Sequence, residues 1–243
     1  MIHRCPRCAA YLKPALADDA QCPHCAIWFH KWNAPLAAGP VAALDLDDDD
    51  DDGGVPMEPY DPVVFGGRVA TTALTIVWGA LLAATNYRDD SMTRSFMHLI
   101  VLPIHEAGHV FFMPFGAFMT TLGGSLLQVA LPLAIAVAFY VKQREPFGAA
   151  VCLWWTGASL VDLSVYVWDA LHPQLILTSG TTGEDGSHDW VAILGDIGQL
   201  RHAHDWGTAI NWLGVLVMIG GAAWAAWYCW RSWNERTMDA PTG

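Results

Sequence analysis

Charged side chains are scarce in this chain of 243 residues: they make up 15% of it, whereas 53% of the residues are hydrophobic and 13 are tryptophan. An average soluble domain carries far more charge. The composition therefore indicates a mainly α-helical, multi-pass membrane bundle in the lipid bilayer. Basic residues are fewer than acidic ones: the chain has 12 lysines and arginines and 24 aspartates and glutamates. They form no strong basic cluster, so no nucleic-acid partner is expected.

The chain also lacks the basic start and short apolar run of a secretory signal peptide, so the first apolar span is expected to direct insertion. Six of the acidic residues form one unbroken run, Asp47 to Asp52. The run lies within residues 33–62, which are rich in proline and have almost no periodic apolar pattern. We predict a disordered acidic linker there. A solvated spacer is the simpler role for the aspartates, and metal binding is the alternative.

Five apolar stretches follow the linker, and each approaches the roughly 20 residues that a spanning helix needs. Together they predict a transmembrane domain of about five helices over residues 63–232, followed by a C-terminal tail, residues 233–243. The predicted spans are residues 65–87, 96–118, 122–141, 147–171 and 209–230. Between the last two, residues 172–207 form a polar segment that we expect to cap the membrane domain.

Four of the six cysteines form two CxxC pairs separated by 13 residues. That spacing lets four thiolates surround one tetrahedral Zn²⁺, so residues 1–32 are predicted to be a zinc ribbon with one structural zinc. A segment this short needs the metal in order to fold. Two disulfides are the alternative, in an oxidising compartment. The predicted ligands are Cys5, Cys8, Cys22 and Cys25.

Residues His105 to His109 read His-Glu-Ala-Gly-His inside the second apolar stretch. Histidines four apart lie on one face of a helix and can both bind a catalytic zinc, and Glu106 between them can activate water. Ionisable residues at bilayer depth are costly, which favours a functional site. The alternative is a coincidental pattern that faces a polar bundle interior.

A catalytic zinc needs a third protein ligand, and depth along the helices selects Asp162 in the fourth stretch. If the second helix runs to residue 118 and the fourth to residue 171, Asp162 and His109 lie equally far from the helix ends, about 14 Å. Asp162 alternatively only hydrogen-bonds a neighbouring helix. The other candidates for the third ligand are Asp169, His188 and Asp189.

Residues 96–171 resemble the site-2-protease family of intramembrane zinc metalloproteases. The resemblance is carried by the His105 to His109 motif in an apolar helix and by the Gly-Gly-Ser-Leu-Leu-Gln-Val-Ala-Leu-Pro sequence that starts at Gly123. It implies that His105, His109 and Asp162 bind the zinc and that Glu106 is catalytic. The family usually has glycine after this aspartate, where the chain has Leu163.

The leading functional hypothesis is an intramembrane zinc endopeptidase that cleaves membrane-embedded or membrane-tethered proteins and peptides. A membrane adaptor with a structural metal site and a metal transporter are the alternatives. Reduced thiolates favour a cytosolic N-terminus, where the ribbon is available to a cytosolic protein partner. The membrane-flanking lysines and arginines favour the opposite orientation.

Overall fold

The computed structural model describes residues 2–5, 11–17, 19–24, 29, 61–183 and 188–239. The chain divides into two units, Met1–Gly53 and Gly54–Gly243. In the first unit, strands β1 (Ile2–Arg4) and β2 (Tyr11–Leu16) form an antiparallel pair with a register shift between the two ends of β1.

Cys5 and Cys22, one from each CxxC pair, are both 2% exposed and pack with Leu12 and Phe29 in one small apolar cluster. The two halves of the cysteine pattern therefore meet in this unit. Cys8 and Cys25 lie outside the described residues, as do residues 33–60 of the predicted linker. The four-cysteine zinc site stays a prediction.

The second unit is mainly helical, and five of its helices are long and apolar enough to cross a membrane. The prediction of five spans is confirmed in this respect. A sixth, short helix, α5, lies in the polar segment before the last span. The helices are α1 (Pro62–Ala84), α2 (Phe96–Phe112), α3 (Ala117–Val141), α4 (Pro146–Asp169), α5 (Asp189–Asp196) and α6 (Ala203–Asp239).

Three of the spanning helices are preceded by a residue whose side chain accepts a hydrogen bond from a backbone N–H group of the first turn. Asp61 accepts from Val63 at the start of α1, Ser95 caps α2, and Glu145 caps α4. Such caps satisfy donors that have no partner inside the helix. The last helix runs on to Asp239 and so includes the first residues of the predicted tail.

Helix α4 is the centre of the membrane unit: 67% of its most apolar 18-residue stretch is buried, against 22–33% for the other four spans. Its apolar residues pack with side chains from α1, α2 and α6 in one core cluster. The outward faces of the other spans carry large exposed hydrophobic side chains. In a bilayer these faces contact lipid.

Helix α2 continues through Pro103 and ends at Phe112, which is followed by a 3₁₀ turn, Met113–Phe115, that contains Pro114. Gly116 then adopts a φ of 96°, where a side chain would be strained, and α3 begins. The departure from α-helical geometry at Pro114 therefore lies after the His/Glu motif. The span ends earlier than the predicted residue 118.

Helices α2 and α3 touch backbone to backbone at Gly108 and Gly123. A Cβ atom on Gly108 would lie 2.2 Å from the carbonyl oxygen of Gly123, and one on Gly123 would lie 2.7 Å from the carbonyl oxygen of Gly108. Small residues allow such approach between membrane helices. The contact holds the motif helix directly against the start of α3.

Gly108→Ala should force α2 and α3 apart and destabilise the membrane unit, because overpacking in a dense interior costs about 1–3 kcal/mol. The measurement is the midpoint of thermal unfolding in detergent. Gly220→Ala is the matched control, since a Cβ there meets no atom within 4 Å. An equal midpoint in the two variants would contradict the close contact.

Candidate metal centre

The two motif histidines converge with a carboxylate from α5. Nε2 of His105 lies 3.2 Å from Oδ2 of Asp189, and Nε2 of His109 lies 3.3 Å from the same oxygen. The three potential ligand atoms all lie within 4.8 Å of one another. Two imidazoles and one carboxylate form a common protein ligand set for catalytic zinc.

The spacing of these atoms fits a small cation. Zinc bonds to nitrogen and oxygen are about 2.0–2.1 Å long, so neighbouring ligand atoms of a tetrahedral ion are roughly 3.3 Å apart. The two nitrogen-to-oxygen distances, 3.2 and 3.3 Å, have this length. The donor set therefore fits zinc in its chemistry, and these two distances match the spacing of ligands around a tetrahedral ion.

Both imidazoles are oriented by an acceptor at their other ring nitrogen. Nδ1 of His105 lies 2.9 Å from Oε1 of Gln128, and Nδ1 of His109 lies 2.9 Å from the carbonyl oxygen of Thr120. A proton on each Nδ1 leaves each Nε2, the ring atom that faces Asp189, as the one that can bind a metal ion.

Gly124 leaves the space in which the histidine side chains meet. A Cβ atom at this position would lie 2.6 Å from Nε2 of His105 and 2.6 Å from Nε2 of His109. Any larger residue would displace both potential ligand atoms. Of the two glycines near the start of α3, Gly123 thus allows the close contact with α2, and Gly124 leaves space for the histidines of the site.

Asp189 is charged at neutral pH. Burial alone would raise the pKa of its carboxyl group, but the contacts with His105 and His109 outweigh burial and lower the pKa to about 2. Zinc binds the deprotonated form of a carboxyl group. The side chain is thus already in the form that a metal requires.

Several contacts hold Asp189 in place although it comes from outside the spanning helices. Its backbone N–H donates to the hydroxyl of Tyr166, 3.0 Å away, and the indole N–H of Trp190 donates to Oγ of Ser125, also 3.0 Å away. The ring of His188 is fully buried and lies on Tyr166, with 4.1 Å between ring centroids. The polar segment therefore docks on α3 and α4 and reaches the motif histidines.

Asp162 does not join this cluster. Its Oδ1 lies 2.9 Å from Nδ1 of His98, and its Oδ2 accepts a hydrogen bond of 3.1 Å from Nε2 of Gln128. The structure thus brings Asp189, and not Asp162, against His105 and His109. Asp169, another candidate, lies with its Oδ2 3.4 Å from Nε2 of His188.

Depth along the helices does not explain the difference. Because α2 ends at Phe112, His109 lies about 4–5 Å from the helix end and His105 about 10 Å, and Asp162 likewise lies about 10 Å from the end of α4 at Asp169. Asp162 is thus level with His105 by this count, yet its side chain contacts His98 and Gln128. Asp189 reaches the histidines from the segment that follows α4.

A cavity of about 500 Å³ lies at the site, and Glu106 is one of the residues that line it. Its floor and sides come from α2, α3 and α4, and Asp189 and residues 175–179 also line it. The expectation that the polar segment covers the membrane domain is met here. Glu106 is exposed to this space, so its carboxylate is available to a molecule inside it.

Comparison of the chain with protein-family models, curated proteins and solved structures found no match. The likeness to the site-2-protease family rests on the sequence motifs alone.

Asp189→Asn should lower the affinity of the membrane unit for zinc by more than about 100-fold, because losing an orienting neighbour alone costs about 10–100-fold. The measurement is zinc competition with a chromophoric chelator, using His105→Ala to identify the membrane site. Asp196→Asn, at the exposed end of the same helix, is the control. Unchanged affinity in Asp189→Asn would exclude Asp189 as a ligand.

Proposed function

We propose that the chain is an intramembrane zinc metalloendopeptidase that hydrolyses peptide bonds of membrane-embedded or membrane-tethered proteins. The supporting observation is the meeting of His105, His109 and Asp189 beside Glu106, in one cavity between apolar spanning helices. The resemblance of the motif to the site-2-protease family points the same way. In this proposal His105, His109 and Asp189 hold the catalytic zinc.

A zinc ion in this position supplies the Lewis acidity that peptide hydrolysis needs at neutral pH. Glu106 is the general base: it takes a proton from the attacking water as the water oxygen bonds to the carbonyl carbon. The same side chain then gives the proton to the amine nitrogen as the carbon–nitrogen bond breaks. Hydrogen bonds from His105 to Gln128 and from His109 to Thr120 keep both imidazoles in one orientation meanwhile.

The cavity suits a short, unwound stretch of polypeptide. Its volume of about 500 Å³ lies within the range of ligand pockets, roughly 300–1,000 Å³. Leu99, Leu102 and Leu163 provide apolar walls, and Thr178 and Ser179 provide hydroxyl groups. A substrate helix would have to open locally before its backbone reached Glu106.

We further propose that the N-terminus is cytosolic and that Cys5, Cys8, Cys22 and Cys25 hold a structural zinc. Burial of Cys5 and Cys22 in one cluster supports a shared site for the two CxxC pairs. The ribbon then offers a surface to a cytosolic protein partner. Substrate recruitment by such a partner is compatible with the small size of the membrane unit.

Glu106→Gln should abolish cleavage, with a loss of at least about 100-fold, because general base catalysis contributes about 10²–10⁴-fold. Zinc content and the thermal unfolding midpoint should stay unchanged. The measurement is cleavage of a co-expressed library of single-span reporter proteins. Glu235→Gln, near the end of α6, is the matched control.

Undiminished cleavage in Glu106→Gln would contradict the peptidase proposal. A wild-type chain that binds zinc in the membrane unit and cleaves no reporter would instead indicate the adaptor.

A further inference from the structure

A chain of hydrogen bonds runs from His98 on α2, through Asp162 on α4 and Gln128 on α3, to His105. Each link is short: 2.9 Å from Nδ1 of His98 to Oδ1 of Asp162, 3.1 Å from Nε2 of Gln128 to Oδ2 of Asp162, and 2.9 Å from Oε1 of Gln128 to Nδ1 of His105. Gln128 and Asp162 are 2% and 7% exposed. The chain thus joins three spanning helices in the protein interior.

The direction of the Gln128 amide is fixed by a neighbour that can only accept. Nε2 of Gln128 lies 3.2 Å from the backbone carbonyl oxygen of Ser159 as well as 3.1 Å from Asp162. A carbonyl oxygen has no proton to give, so the end of the amide that faces it is the NH₂ group. The amide oxygen therefore faces His105.

This direction determines the tautomer of His105. Because Oε1 of Gln128 only accepts, Nδ1 of His105 must carry a proton, and Nε2 of the neutral ring carries the lone pair. Nε2 faces Asp189 and the second histidine, so this nitrogen is the one that a metal ion in the site can bind. If the Gln128 amide were reversed, its NH₂ group would donate to Nδ1 of His105. The proton of the neutral ring would then lie on Nε2, which could no longer bind a metal ion.

We propose that Asp162 and Gln128 are positioning residues of the metal centre: Asp162 holds the Gln128 amide, and Gln128 holds His105 with Nε2 directed into the site. The inference rests on the zinc site of the proposed function. It gives Asp162 a role that needs no contact with the metal. It also explains how a carboxyl group can lie deep among apolar helices, because each of its two oxygens has a hydrogen-bond partner.

Zinc affinity of four variants tests the proposal in the full-length protein. Gln128→Met and Asp162→Leu should each lower the affinity of the membrane site about 10–100-fold, the usual effect of losing an orienting neighbour. Asp162→Asn should stay within a few-fold of the wild type, because its amide oxygen still accepts from Gln128. The double variant Gln128→Met/Asp162→Leu should be no weaker than Gln128→Met, since Asp162 acts through Gln128.

A spectroscopic measurement separates positioning from a general loss of stability. Cobalt(II) in the membrane site, observed as the difference spectrum against His105→Ala, reports the geometry of the ligands. At saturating cobalt, the visible bands of Gln128→Met and of Asp162→Leu should differ from those of the wild type. The spectrum of Asp162→Asn should match the wild-type spectrum. If Asp162→Leu does not fold, Gln128→Met and Asp162→Asn still give opposite expected results.

Two outcomes would overturn the proposal. Unchanged affinity and spectrum in Gln128→Met would show that Gln128 does not position His105. A loss in Asp162→Asn as large as that in Asp189→Asn would show that Asp162 binds the metal directly. Failure of the zinc site itself is distinct from both, because in that case neither His105→Ala nor Asp189→Asn changes zinc binding. Failure of the peptidase alone is distinct again, because the wild-type chain then binds zinc in the membrane unit and cleaves no reporter.

Discussion

The contact between α2 and α3 is the constraint on which the membrane unit depends. At Gly108 and Gly123 the two backbones meet without side chains between them, and Gly124, one residue on, leaves the space where His105 and His109 converge. Close approach also brings acceptors from α3, Oε1 of Gln128 and the carbonyl oxygen of Thr120, to the two imidazoles. One steric requirement therefore sets both the helix packing and the orientation of the potential ligands.

The sequence predicted the parts of this arrangement that depend on local pattern. Apolar length gave the five spans, and the four-residue spacing of His105 and His109 gave a shared helix face with Glu106 between them. These inferences need only the period of a helix and the thickness of a bilayer. The helix caps at Asp61, Ser95 and Glu145 were not predicted, although each is a local feature that stands directly before its helix.

Helix depth could not single out the carboxylate that meets the motif histidines, because that carboxylate comes from outside the spanning helices. Pro114 and Gly116 end α2 soon after His109, and this end places Asp162 level with His105, yet Asp162 contacts His98 and Gln128. Asp189 was among the candidates but reaches the site through contacts made by Tyr166 and Trp190. Such contacts between distant segments leave no periodic trace in a sequence, and the same holds for the bond from Gln128 to His105.

The order in which the chain is synthesised gives the position of Asp189 a further meaning. A nascent chain that has inserted α1 to α4 already carries both histidines and Glu106, yet it has no carboxylate from α5. The ligand set is completed only after residue 189 has been made and its segment has docked on Ser125 and Tyr166. Under the proposed function, a half-made protein would be inert toward the membrane proteins around it, and hydrolytic competence would coincide with a finished fold.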